Sequence, residues 1–177
     1  MTETEAVERI RDGALESGVR RGGTVLVHSS LSSMGTVPDG AETVVRGLLS
    51  ALGETGTLLM PALSYNHVDM SRPVFDVRRT PSNVGAIPEH FRQRARTVRS
   101  IHPTHSVCGV GAEVEALLGS HQRDKTPCGA NSPFRKLWEC GGQILFLGCG
   151  LRPNTSMHGV EELEEPPYLF GDKVSYR

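Results

Sequence analysis

Short apolar runs alternate with helical periodicity through the first third of this chain, and that alternation most narrows its fold. Thr24-Val25-Leu26-Val27-His28 and Thr57-Leu58-Leu59-Met60 are brief and continuously apolar in their centres. Strands covered on both faces read this way, whereas a strand with one wet face alternates. Pro61 stops the second run. Ahead of the first, Ala6, Val7, Ile10, Ala14 and Leu15 recur at helical spacing over Glu5 to Val19. Between the two runs, Ala41 to Leu52 predicts a helix with Asp39 as its cap and Gly53 at its end. Helix, strand, helix, strand in succession predicts an α/β fold.

Further along, Ser64 to Pro81 lacks periodicity and reads as a long loop, a common carrier of function. Val84 to Arg94 reads as a helix started or kinked by Pro88. Val98 to Ile101 and Val107 to Val110 read as strands flanking His102-Pro103. Glu113 to Leu118 is a helix closed by Gly119, and Pro133 to Cys140 another with Ser132 as cap. Gln143 to Gly148 gives the clearest strand signal, and Thr155 or Ser156 caps a last helix. No internal repeat or low-complexity linker interrupts the 177 residues, a length that suits one domain with a real core.

Bulk properties exclude several classes. A formal net charge of -1 gives no drive toward nucleic acid or an anionic membrane surface, and no apolar run approaches a membrane span. The acidic start, Met1-Thr2-Glu3-Thr4-Glu5, lacks a signal-peptide core, so a cytoplasmic address is expected. Cys108, Cys128, Cys140 and Cys149 show no C-x-x-C spacing and read as free thiols.

Chemistry-bearing residues gather between Arg99 and Glu162. His158, Glu161 and Glu162 share a helix face, where a carboxylate can orient an imidazole as a general base. The same residues belong to the charge run Glu161-Glu162-Leu163-Glu164-Glu165, which fits a merely solvated helix equally well. His102 and His105 bracket Pro103 beside Ser106 and Cys108; a metal needs further ligands, none suitably spaced, so no metal is expected. Imidazoles that hydrogen-bond a ligand or nearby backbone are the expectation instead. Ser29, Ser30, Ser32 and Ser33 follow a strand, where free N–H groups suit a phosphate. Neither nucleotide-binding glycine motif is present, and there is no G-x-S-x-G elbow.

Taken in order, these blocks resemble the aminoglycoside 3-N-acetyltransferase (antibiotic N-acetyltransferase) family. They are Val27-His28-Ser29-Ser30-Leu31, Gly56-Thr57-Leu58-Leu59-Met60-Pro61, Phe75-Asp76, Thr80-Pro81-Ser82 and Gly85-Ala86-Ile87-Pro88-Glu89. Then come Arg99-Ser100-Ile101-His102-Pro103 with Ser106, Thr126-Pro127-Cys128-Gly129 with Ser132-Pro133, and Asn154-Thr155 with His158 and Glu161. The resemblance implies a layered αβα architecture around a central mixed sheet, distinct from the GNAT acetyltransferases, whose pyrophosphate loop is absent here. It implies acetyl transfer from acetyl-CoA to the 3-amino group of a 2-deoxystreptamine aminoglycoside, and hence antibiotic resistance. Another biosynthetic or metabolic amine, or a silent CoA-binding module, are the alternatives.

By that resemblance His158 is the base, oriented by Glu161, and Ser106 with nearby N–H groups is the candidate donor to the thioester carbonyl. Ser29, Ser30, Leu31, Ser32, Ser33, Met34 and Gly35, with His102, Pro103 and Ser106, are expected to hold the cofactor. Tyr65, Asp69, Asp76 and Glu162 are expected to line the groove of a polycationic substrate. Family members continue beyond the position of Arg177, so one acetyltransferase domain over 1–177, short of the family's C-terminal portion, is expected.

Overall fold

A computed structural model describes all residues, 1–177. Helix α1, Glu3–Glu16, begins at Thr2, whose hydroxyl accepts from the Glu5 N–H while the Glu5 carboxylate accepts from the Thr2 N–H. This reciprocal cap satisfies donors that would otherwise be orphaned, which is why the helix starts before Glu5. Strand β1, Thr24–Ser29, leads through a short 3-10 turn at Leu31–Met34 to helix α2, Gly40–Leu52, and strand β2, Thr57–Pro61. Asp39 precedes α2 as expected but does not cap it: its backbone is left-handed, with φ 54°, and its side chain makes no cap hydrogen bond.

The stretch after β2 is a long loop up to Gly85, as its lack of periodicity predicts. Helix α3, Ala86–Gln93, takes Pro88 in its first turn, where a missing N–H is harmless. Strands β3, Val98–Arg99, and β4, Val107–Gly111, pair antiparallel around His102-Pro103. Helix α4, Val114–Leu118, and helix α5, Pro133–Glu139, follow; the Ser132 hydroxyl accepts from the Arg135 N–H as the cap of α5. Strand β5, Gln143–Leu147, and helix α6, Ser156–Glu164, complete the order. Thr155 precedes α6 without capping it, because its hydroxyl turns back to the Pro153 carbonyl.

The sheet runs β3-β4-β2-β1-β5. β1 is parallel to both neighbours, β2 and β5, while β4 is antiparallel to β2. The sheet is therefore mixed. Alternate residues of the central strands serve two cores. Val25, Val27, Leu58, Met60 and Cys108 pack with residues of α1, α2 and α3, among them Ala14, Leu48 and Phe91. Leu26, Leu59 and Val107 point the other way, onto Leu117 and Leu118 of α4 and Phe134 and Leu137 of α5. Helices thus cover both faces, the αβα layering that the buried strands require. No helix is long and apolar enough to cross a membrane.

Helices α1 and α2 pack closely because Gly47 has no side chain. A Cβ there would lie 2.6 Å from both Cβ and Cγ2 of Ile10. Alanine outranks glycine by about 1 kcal/mol inside a helix, whereas overpacking a filled contact costs about 1–3 kcal/mol. The clash dominates, so we expect Gly47→Ala to lower the urea midpoint; an unchanged or higher midpoint would refute this close contact.

Candidate active site

β1 and β2 both deliver their carboxyl ends to one cavity of about 330 Å³. This is the usual ligand position in α/β sheets, where strand ends open between diverging connections. His28 and Ser29 of β1, Pro61 of β2, Tyr65, His105 and the Asn154–Thr155 turn line it, and His158 stands at its wall.

The cavity's polar groups are not all partnered. His28 Nε2, Ser29 Oγ and Asn154 Oδ1 are buried without a hydrogen bond. Each such atom costs about 1–3 kcal/mol unless something pairs with it. All three belong to residues that line the cavity. His28 is 5% exposed, and its ring stacks on Phe146 at 5.3 Å and 10°, set there by the β1–β5 register. Burial alone pulls its pKa down to about 4, so the ring is neutral near pH 7.

His158 Nδ1 lies 2.6 Å from Glu161 Oε2, three residues on in α6. The carboxylate holds the Nδ1 proton and leaves Nε2 as the nitrogen with a lone pair. Their side chains are 57% and 37% exposed, so the pair faces an open side of the cavity.

From His105 on the wall, two more imidazoles, His102 and His121, run back into the protein. His121 is fully buried; Ser100 Oγ lies 2.9 Å from its Nδ1, and its Nε2 lies 3.2 Å from the Pro127 carbonyl. His102 stacks on it at 4.8 Å, and His102 Nδ1 accepts from the Thr104 and His105 N–H groups. His105 meets His102 edge-on at 5.9 Å, its Nδ1 2.8 Å from Thr104 Oγ1. Desolvation is the main cause that brings all three pKa values down to about 4.

The structure does not bring the other candidates to this cavity. Ser106 is fully buried; its hydroxyl donates to the Ala62 carbonyl and accepts from Arg99 Nε, so it has no proton left for a thioester. His102 supports its own loop, and the Pro103 carbonyl accepts from the Ser64 hydroxyl. Leu31 and Met34 pack on the core, while the Ser30 hydroxyl contacts those of Ser32 and Ser33 at 3.3 and 3.0 Å. Gly35 is exposed at the end of that turn. The Glu162 carboxylate accepts from the Thr126 hydroxyl and the Cys128 N–H, which clamps a loop rather than facing a groove. Asp69 is held ionised by the Ser71 hydroxyl and Arg72 in its own turn, and Asp76 accepts from the Arg78 and Arg79 N–H groups. Short acidic side chains next to free N–H groups take such turns by default. Of the four substrate candidates only Tyr65 reaches the cavity.

Sequence reasoning gave no site role to His28 or Asn154, and named His105 only within the His102–Ser106 loop. A polar residue closing an apolar strand was the available signal for His28. The second histidine of His102-Pro103-Thr104-His105 was the signal for His105. Cys108, close to these histidines in sequence, lies in the core that faces α1, α2 and α3; burial pushes its thiol up to about 12. No cluster of three or more histidine, cysteine, aspartate or glutamate residues is placed to hold a metal.

The pattern described as aminoglycoside 3-N-acetyltransferase matches residues 26–173, a span containing every wall of this cavity. The chain belongs to that family. It is 35% identical over 167 residues to aminoglycoside N(3)-acetyltransferase VII of Streptomyces paromomycinus, covering 85% of this chain and 58% of the relative. A CoASH complex of AAC-IIIb superposes with a TM-score of 0.80 at 30% identity, covering 92% of this chain and 65% of the other. A mutant of AAC(3)-IVa in complex with a gentamicin gives 0.82 at 29%, covering 94% and 65%. The chain spans about three fifths of the length of the curated relatives it matches. The mixed sheet with helices on both faces agrees with the layered α/β architecture that the resemblance implied.

The buried histidines set an acid limit on stability. His28, His102, His105 and His121 titrate near 4 when folded and near 6.5 when unfolded. Their folded pKa values are depressed, so the unfolded chain binds protons that the folded one refuses. Stability is complete above about pH 6.5 and falls as pH drops toward 4. We expect the urea midpoint to decline clearly between pH 7 and pH 5; a flat midpoint would mean these rings are solvated.

Proposed function

We propose that this protein transfers the acetyl group of acetyl-CoA to the 3-amino group of a 2-deoxystreptamine aminoglycoside. One observation carries the reading: an imidazole oriented by a carboxylate, His158–Glu161, at a cavity whose buried wall holds unpartnered polar atoms. The family's name and the CoASH and gentamicin complexes of its relatives support the substrates.

An aminoglycoside amine is protonated at neutral pH and must lose that proton to become a nucleophile. His158 Nε2 accepts it while Glu161 stabilises the resulting imidazolium. The amine nitrogen bonds to the thioester carbon, the carbon–sulfur bond breaks, the leaving thiolate takes the proton back from His158, and the second proton shed by the new amide nitrogen passes to solvent. Acetylated amine and free CoA result, with no covalent enzyme intermediate. In this reading Ser29 and the exposed Ser32, Ser33 and Gly35 of the following turn contact the pantetheine and phosphates. Tyr65 contacts the sugar rings. Asp69 and Asp76, neutralised locally, contribute only a diffuse negative field.

The test is thiol release from acetyl-CoA with gentamicin, kanamycin and a simple alkylamine as acceptors. Release dependent on the aminoglycosides supports the proposal. Release with the alkylamine alone reassigns the acceptor, and CoA binding without turnover identifies a silent binding module. In an active protein, His158→Ala should lower kcat by about 100-fold or more, the usual yield of a positioned base, with CoA affinity within about 3-fold. An unchanged kcat removes His158 from the mechanism.

A further inference from the structure

His105 shares the cavity wall with His158, and the two rings are close enough to act on one another electrostatically. It is half-buried, set edge-on against His102, and anchored at Nδ1 by Thr104 Oγ1 at 2.8 Å. The Thr104 hydroxyl makes no other hydrogen bond within the protein. With that hydroxyl donating to Nδ1, the neutral ring carries its proton on Nε2, the nitrogen left free. Its neutrality follows from its surroundings: burial opposes a positive charge on His105 most, and His102 and His158 oppose it further.

Building on the acetyl-transfer reading above, we propose that His105 donates Nε2–H to the acetyl carbonyl oxygen of the thioester, as the electrophilic partner of His158. One neutral imidazole lowers the energy of the developing oxyanion while the other takes the amine proton. The step balances without further reactants: the carbonyl π pair moves onto oxygen as the C–N bond forms, and returns as the C–S bond breaks. His105 keeps its proton throughout, because it hydrogen-bonds the oxyanion without transferring it.

The other polar groups on the wall suit this role less well. Ser106 is committed elsewhere. The Thr155 hydroxyl donates to Pro153, whereas the Asn154 amide NH2 makes no hydrogen bond and is a rival donor on the wall. Arg152 is solvent-exposed, and a donor in water contributes far less than one held in a dry wall. His28 and Ser29 remain as rival donors, at the strand end.

Two readouts test the assignment, both on the unaltered chain and on His105→Ala, His105→Gln and Ser29→Ala. The first is kcat against KM; the second is the infrared carbonyl stretch of bound acetyl-CoA, which a hydrogen-bond donor lowers. We expect His105→Ala to lose about 100-fold in kcat, as for other single oxyanion donors, with KM within about 3-fold, and the stretch to rise. Glutamine, which still offers an N–H, should recover part of both. An unchanged stretch and kcat in His105→Ala overturns the proposal, as does a shift produced by Ser29→Ala and not by His105→Ala. If the unaltered chain binds acetyl-CoA without turnover, the stretch alone decides. If it binds none, the acetyl-transfer reading falls and this inference with it.

Discussion

The half-buried guanidinium of Arg99 ties together two loops at the functional end of the molecule. Strand β3 is only two residues long, yet its second residue reaches four residues in those loops. Arg99 Nε donates to Ser106 Oγ, its Nη2 to the Ala62 carbonyl and its Nη1 to the Thr80 carbonyl, while the cation lies 4.9 Å from the centre of the Phe75 ring. No carboxylate pairs with it directly; desolvation lowers its pKa to about 10, still far above neutrality. A planar fork of rigid donors suits this task, and a lysine ammonium could not reproduce it. The long loop after β2, the His102–Ser106 turn and the start of β4 depend on that one side chain for their mutual position. Leu63, Tyr65, Val84 and His105 of the cavity wall belong to those segments.

The central strands β1 and β2 were readable because they are short, apolar and buried on both sides, a pattern that leaves little alternative. Loop length between β2 and α3 was readable for the opposite reason, a lack of any period. Side-chain roles in the site were much harder to read. Ser106 and Glu162 look in sequence like cavity residues, and the structure commits both to holding backbone. A hydroxyl or carboxylate between glycines and prolines serves equally well as ligand contact or loop clamp. Only the position of the competing carbonyls and N–H groups decides, and those come from distant parts of the chain. His158 and Glu161 were legible because their partnership is local, three residues apart on one helix.

Four neutral imidazoles, two lining the cavity and two behind it, have a common origin. Each is desolvated more than it is compensated. The arrangement keeps positive charge away from a site read as receiving a polycation. His102, His105 and His121 are held in place by hydroxyl and backbone partners. Such preorganisation is what a transition state with developing charge requires.

The cysteines have a consequence for how the chemistry is observed. Cys108 and Cys128 are buried with their thiols held far from ionisation, and Cys149 is shifted in the same direction, whereas Cys140 is exposed just past α5. Thiolates, not thiols, attack disulfide reagents. A chromogenic disulfide used to count liberated coenzyme therefore first titrates the protein itself, with Cys140 reacting ahead of the rest. Its amplitude tracks enzyme concentration and not acceptor, and a later rise from the buried pair would report unfolding rather than turnover.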